Sequence, residues 1–502
     1  MNTAQHVDVV IIGAGLSGIG AACHLRRKCP DKSFLILEGR ERMGGTWDLF
    51  RYPGIRSDSD MYTLGYNFKP WTDPKSIADG PAIKKYVEET AKEYQLEEHI
   101  QFGHQVKSSE WSTDKSTWTL QVEETTTSEV KHISCGFVFS CTGYYNYKKG
   151  HTPQFEGSDS FEGKIVHPQF WPEDYDYSGK NVVVIGSGAT AITLVPAMSK
   201  NAAHVTMLQR SPTYIVSLPQ EDRFLNKLRR FLPATWVYRI ARTRNTTLAY
   251  IMFYLSKLFP DWVRKKILDG AEKQIGPDVD MKHFEPSYKP WDERMCVVPD
   301  GDFFEALREG DVSVVTDHIE RFDKDRIHLK SGESIPADVV VTATGLDLQF
   351  MGGIELTVDG QRFNDADKMN YKGVMVEDLP NIGFLFGYTN ASWTLKSDLT
   401  SEYLCRIIRI MDRKGYRKCV PLNFDQTIQT EPFLTLKSGY INRGIQKFPN
   451  QGSKRPWRLY QNYFLDLLTL RFGRVFDRRL TFSQPEEVSK ERDDSTEIRR
   501  VS

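Results

Sequence analysis

The sequence predicts an α/β protein with two dinucleotide-binding units on one chain, the second carrying a helical insertion. Three observations carry that prediction. The apolar run Val7–Ile12 opens into Gly13-Ala-Gly15-Leu-Ser17-Gly18. The run Asn181–Ile185 opens into Gly186-Ser187-Gly188-Ala189-Thr190-Ala191. Residues 217–290 lack strand alternation and are rich in Leu, Arg and aromatics, which reads as helical. A strand that feeds G-x-G-x-x-G/A at the start of a helix is the Rossmann-like layout. Its first two glycines let the backbone turn tightly and approach a pyrophosphate, and the small third residue lets the helix pack on the strand.

Taken in order, Val7–Ile12 reads as a parallel strand buried on both faces, and Ile19, Ala22 and Leu25 mark the following helix. A second apolar run, Phe34–Leu37, ends in Glu38. A carboxylate there accepts hydrogen bonds from ribose hydroxyls and repels a 2′-phosphate, so the first unit suits FAD or NAD. Gln101–Val106 reads as a short strand, and Trp118–Glu123 with Val130–Ile133 as a meander. Phe137–Ser140 then leads into Cys141-Thr142-Gly143, and Phe161–Pro172 reads as neither helix nor strand. In the second unit a helix runs from Ala191 to about Lys200, the strand His204–Gln209 follows, and Arg210 replaces the acid. A guanidinium at that position favours a 2′-phosphate and therefore NADPH, the alternative being an ordinary surface cation. Asp338–Thr342 with Ala343-Thr344-Gly345 reads as a return between units. The expected domains are an FAD-binding first part (1–148), an NADPH-binding domain (149–335, insertion about 217–290), an FAD-domain return (336–482) and a disordered tail (483–502).

Composition narrows the function classes. The 502 residues suffice for roughly two to three domains. With 66 basic and 66 acidic residues, nothing points to a nucleic-acid partner. The seven cysteines include no C-x-x-C, which argues against a metal centre and a disulfide reductase and for a reduced, cytoplasmic setting. The N-terminal apolar run is broken at once by glycines and does not read as a signal peptide. Leu248–Leu255, continuing to Phe259, reads as a core or lid helix, with peripheral contact at a membrane surface as the alternative.

The chemistry-bearing residues follow Glu38. Gly44-Gly45-Thr46-Trp47 offers a backbone that can pass close to a flat ring, and an indole to stack on it. Tyr52-Pro53-Gly54-Ile55-Arg56-Ser57-Asp58 places a carboxylate in a tight loop on the cofactor side. Arg294, in Trp291-Asp292-Glu293-Arg294-Met295, is the natural cation to meet Asp58, a plain surface arginine being the alternative. His167 titrates near neutrality but sits in a linker, which favours a hydrogen-bonded structural role over acid–base work. Trp171 reads as packing, and Trp393 equally as a pocket wall or a core residue.

These residues carry a resemblance. Phe161-x-Gly163-xxx-His167-xxx-Trp171-Pro172 matches the fingerprint of type I Baeyer–Villiger monooxygenases, and Gly44-Gly45-x-Trp47-xxxx-Tyr52-Pro53-Gly54-xxx-Asp58 matches the second motif of that family. IRSDSDMYTLGYNF, IGSGATAITLVPA, QRSPTYIV and YTNASWTLKSDL look like the mycobacterial subgroup whose member activates the thioamide drug ethionamide. The resemblance implies that NADPH reduces FAD, that dioxygen adds at the flavin C4a, and that the resulting peroxide converts ketones to esters or lactones. It also implies oxygen transfer to sulfides and thioamides. Arg294 would hold the peroxide ionised and Asp58 would orient it. Ser17, Glu38, Thr46, Trp47, Asp48, Leu49, Asp58 and the main chain at Val106 would hold FAD. Ile185 to Ala191 (Gly186, Ser187, Gly188, Ala189 and Thr190 between them), Gln209 and Arg210 would hold NADP⁺, whose nicotinamide reaches Arg56, Ser57 and Asp58. The chain departs from the pattern at one place: the usual Lys-Arg pair is here Glu293-Arg294. Rival readings are a flavin monooxygenase acting only on N or S, and an NADPH-binding flavoprotein without oxygenation.

Overall fold

A computed structural model describes residues 5–277, 279–436 and 438–484. Two sheets organise it. In the first, strand Gln5–Ile12 lies between Phe34–Leu37 and Val130–Ser140, parallel to both, with Val9 opposite Phe34 and Phe137. The central strand is inaccessible on both faces from Val9 to Ile11, which its unbroken apolar run requires. Val130–Ser140 then pairs antiparallel with Thr117–Glu124, and that strand with His104–Ser112. The second sheet is parallel throughout, in the order Val312–Thr316, His204–Gln209, Asn181–Ile185, Val339–Thr342, Lys164–Val166.

That order corrects three expectations. Val339–Thr342 is buried on both faces inside the second sheet, so the chain leaves the second unit after Thr342 rather than at 336. The stretch Phe161–Pro172 contributes an edge strand, Lys164–Val166, because a second parallel partner there covers the open side of Val339–Thr342. Ser483 closes the strand Leu480–Ser483 against Lys418, so the expected tail does not begin at 483; residues 485–502 lie outside the described residues.

The helical insertion is divided between the two units, where the sequence had suggested the second alone. Helices Arg223–Leu228 and Ala234–Leu258 send Leu225, Val237, Tyr238 and Ala241 into the core around Met61, Tyr62 and Tyr66 of the first unit. Helix Pro260–Glu272 sends Ala271 into the second core with Ile275 and Phe284. The reason is a clamp. Arg242 Nη1 donates to the carbonyls of Tyr62 (2.9 Å) and Gly65 (2.7 Å), while its Nη2 lies 3.2 Å from Asp398. Asp398 sits on the long helix Trp393–Lys414, which packs against Leu16–Lys28, and it also meets the buried ring of His24 at 3.0 Å. Three charged or titratable groups from three distant segments are thus paired away from water, where leaving any one unpaired would be costly.

Candidate active site between the two units

The two glycine loops open onto one cavity of about 810 Å³. Gly13 has φ +102°, and a Cβ there would stand 2.7 Å from the Cys141 carbonyl oxygen, so the crossing of these two chain segments demands glycine. Gly186 repeats the case at φ +137°, with a Cβ 2.4 Å from the Ala343 oxygen. Each loop ends at a helix start that lacks a side-chain cap, Gly15 before Leu16–Lys28 and Gly188 before Ala189–Met198. Unpaired N–H groups at a helix start form an anion site. Gly15 and Ser17 line the cavity from the first helix, and Gly188, Ala189 and Thr190 from the second. A Cβ at Gly188 would meet no atom within 4 Å, which leaves its side open for a phosphate. The residues present therefore fit two dinucleotides.

Of the other expected residues, Thr46, Trp47, Arg56, Ser57, Asp58, Ile185, Gly186, Ser187, Arg210 and Arg294 also line the cavity. Gly13, Gly18, Glu38, Asp48, Leu49, Val106, Ala191 and Gln209 do not; they belong to the scaffold behind it. Glu38 is buried and accepts from the backbone N–H of Ala14 (2.7 Å) and of Arg40 (3.0 Å), fastening the first glycine loop to the end of the second strand. Burial holds its carboxyl above the ordinary value against the pull of those donors. Asp48, also buried, is ringed by Lys84 (2.7 Å), Arg40 (2.8 Å) and Arg51 (3.4 Å). Leu49 packs against the second core, and Val106 sits in the first sheet opposite Val122. Gln209 spends its side-chain amide on His283 O (2.7 Å) and Thr316 Oγ1 (2.9 Å).

In the cavity lining Arg294 Nε lies 3.9 Å from Asp58 Oδ2. Burial opposes the charge on Arg294, but Asp58 and the ring of Tyr144, Tyr440 and Tyr145 outweigh it, so its pKa is raised and the guanidinium stays charged. Burial pushes the Asp58 carboxyl up, with Arg294 and Arg56 pulling it back. Arg56 is held by both oxygens of Asp302, through Nη1 and, at 3.3 Å, Nη2. Trp393 proves to be a cavity wall: its indole N–H donates to Ser17 Oγ at 2.7 Å, and its ring stacks on Tyr144 with centroids 5.3 Å apart.

His167 stands outside the cavity lining. Its Nδ1 accepts the Gln169 N–H at 3.2 Å and its Nε2 lies 3.2 Å from the Gly345 carbonyl, which fixes the neutral ring as donor at Nε2. Burial lowers its pKa, in keeping with that neutral form. A Cβ on Gly150 would lie 2.3 Å from the ring, so the histidine packs flat on the chain where it crosses between units. Trp171 is buried against Tyr175 and Tyr177. Sequence reasoning missed Tyr144, Tyr145 and Tyr147, whose signal was the aromatic run directly after Cys141-Thr142-Gly143. It also missed Tyr440 and Arg443, one turn apart on helix Gly439–Gly444, for which the sequence carries no signal.

Two dinucleotide seats facing one cavity, with a charged arginine held beside a carboxylate between them, define a two-dinucleotide oxidoreductase. The family model for flavin-binding monooxygenase-like proteins matches residues 73–351, and that for NAD(P)-binding Rossmann-like domains matches residues 11–72. The FAD-containing monooxygenase EthA of Mycobacterium tuberculosis is 50% identical over 482 residues, covering 96% of this chain and 98% of its own. The probable FAD-binding monooxygenase AlmA of Acinetobacter baylyi is 50% identical over 483 residues, covering 96% and 97%. Among solved structures, cyclohexanone monooxygenase from Rhodococcus sp. Phi1 bound to NADP⁺ superposes with a TM-score of 0.68 at 22% identity, over 84% of this chain and 87% of that one. The chain belongs to the flavin-binding monooxygenase-like family. It is a flavin-binding monooxygenase with an NAD(P)-binding Rossmann-like unit.

Proposed function

We propose that this enzyme inserts one oxygen atom of O2 beside a ketone carbonyl to give an ester or lactone, and transfers oxygen by the same route to sulfides and thioamides. The observation that carries the reading is the Arg294–Asp58 pair, 3.9 Å apart in a cavity reached by both glycine loops. Bound FAD, reduced by NADPH, supplies the activated oxygen. The chain supplies fixed charge. Arg294 keeps an anionic oxygen ionised and stabilises the negative charge that develops on the substrate's carbonyl oxygen; preorganised charge of this kind is the strongest lever an enzyme has on such a step. Asp58 orients the guanidinium, and arginine suits the task because it stays charged at any working pH. Tyr144, Tyr145 and Trp393 form an aromatic wall that excludes water from the reacting atoms. In the second seat the uncapped helix start at Gly188 takes the pyrophosphate and Arg210 the 2′-phosphate.

Purified enzyme given NADPH, a simple ketone and labelled dioxygen should return an ester carrying one labelled oxygen. Sulfoxides from sulfides, with ketones untouched, would overturn the ketone half of the reading. Arg294→Ala should still let NADPH reduce the flavin but yield no ester. Ester formation by that variant would show that another cation does this work.

A further inference from the structure

We propose that the outer face of the helical insertion is a docking surface for an anionic lipid bilayer. Helix Ala234–Leu258 is 25 residues long, about 37 Å at about 1.5 Å per residue. Its inner face, through Val237, Tyr238 and Ala241, is spent on the first unit's core. Its outer face carries Trp236, Ile240, Ile251, Tyr254 and Leu258, one helical stripe with Thr243 and Thr247 completing the spacing. These side chains are open to solvent: Trp236 is 56% exposed and Leu258 68%. At the turn into the next helix Trp262 is 54% exposed as well. An exposed apolar stripe of this length on a soluble surface marks an interaction site.

Charge says what covers it. From Arg223 to Glu272 the chain has eleven Lys and Arg against three Asp and Glu, a net +8 within a chain that is neutral as a whole. Arg223, Lys227, Arg230, Arg239 and Lys266 are exposed, and none has an acidic partner within 4.0 Å among the described residues. Arg239 lies over the Trp236 ring at 5.7 Å, so cation and apolar stripe are contiguous. A second copy docked by the same face would set these exposed, unpaired cations against their own copies, which disfavours a symmetric dimer there. Tryptophan and tyrosine along an apolar stripe, with lysine and arginine at its margins, suit the headgroup boundary of an anionic leaflet. No helix of the described residues is long and apolar enough to cross a membrane, so the helix lies on the surface.

The test uses the FAD-loaded full chain and flotation with vesicles of phosphatidylcholine alone or mixed with phosphatidylglycerol. Binding should require phosphatidylglycerol, weaken with salt, and shift the tryptophan emission to the blue. Arg230→Gln and Lys266→Gln should each weaken it roughly fivefold, the effect of about 1 kcal/mol per cation near an anionic surface. Trp262→Ser should weaken it at least as much, with flavin content and turnover of a water-soluble substrate unchanged. Failure to float with anionic vesicles, or equal binding to neutral ones, would overturn the proposal. So would a dimer in light scattering that Trp236→Ser dissolves while vesicles remain unbound; that result would assign the face to a second copy.

Discussion

The two glycine loops are close copies in sequence and opposites in setting. Around the first, everything is closed. Glu38 is buried and bonded to the loop's own backbone, and a Cβ on Gly15 would stand 3.3 Å from Gly45 Cα. Ser17 is tied to Trp393, more than 370 residues away in sequence. Around the second, a Cβ on Gly188 meets open space and Arg210 is exposed with no acidic partner within 4.0 Å among the described residues. A closed seat suits a cofactor held through every turnover, and an open one suits a cofactor that enters reduced and leaves oxidised. The divided insertion extends the contrast. Helix Ala234–Leu258 is clamped to the first unit by Arg242, and the next helix packs on the second, so the chain passes from one unit to the other at Phe259.

Breaking the closed seat should have the largest effect. Glu38→Ala removes an acceptor for two backbone N–H groups, and bonds of this charge-assisted kind contribute about 1.5–3 kcal/mol each. The variant should purify largely without flavin, with FAD affinity down by about a hundredfold or more and a lower melting temperature; flavin absorbance per chain and a thermal melt report both. Full flavin occupancy would mean the loop needs no such brace. The open seat should fail more selectively. Arg210→Ala should weaken NADP⁺ binding by roughly ten- to a hundredfold, the loss of one charge-assisted contact. Flavin content, the melting temperature and NADH affinity should stay unchanged, because the side chain is exposed and supports nothing else. Calorimetric titration with both nucleotides separates this from general damage; an equal loss for NADH would move the 2′-phosphate site elsewhere.

The parts of this contrast that rest on local pattern were legible in the sequence. Strand, glycine loop and helix are specified within some 25 consecutive residues, so both seats and the Glu38/Arg210 difference could be read directly. What Glu38 does could not. An acid at that position reads as a ribose acceptor, and only packing shows it bonded to Ala14 and Arg40. The pairing of Asp58 with Arg294 crosses 236 positions and became readable only through the family motif. The insertion's allegiance was misjudged because nothing local to Arg242 reveals that its partners are the carbonyls of Tyr62 and Gly65. Tyr440 and Arg443 were missed for the same reason: a six-residue helix has no periodicity to read.

The smallest predicted effect sharpens the open seat further. Glu293 lines the same cavity as Arg210. Burial raises its pKa, with Arg210 the main influence pulling it back. In its charged form it works against the 2′-phosphate proposed to sit at Arg210. Glu293→Gln should therefore tighten NADP⁺ binding a few-fold at pH 7–8, with NADH nearly unaffected. The sign of the pH dependence follows from the raised pKa. A carboxyl whose folded pKa exceeds its ordinary value of 4.5 favours the fold below that value and loses the contribution as pH rises through the folded pKa. The glutamine variant should thus melt slightly higher than the parent at pH 7 and show no such gain near pH 4. Its nucleotide advantage should shrink over the same descent, as the parent's Glu293 takes up its proton. An advantage that persists undiminished in acid would assign it to the shape of the side chain rather than its charge.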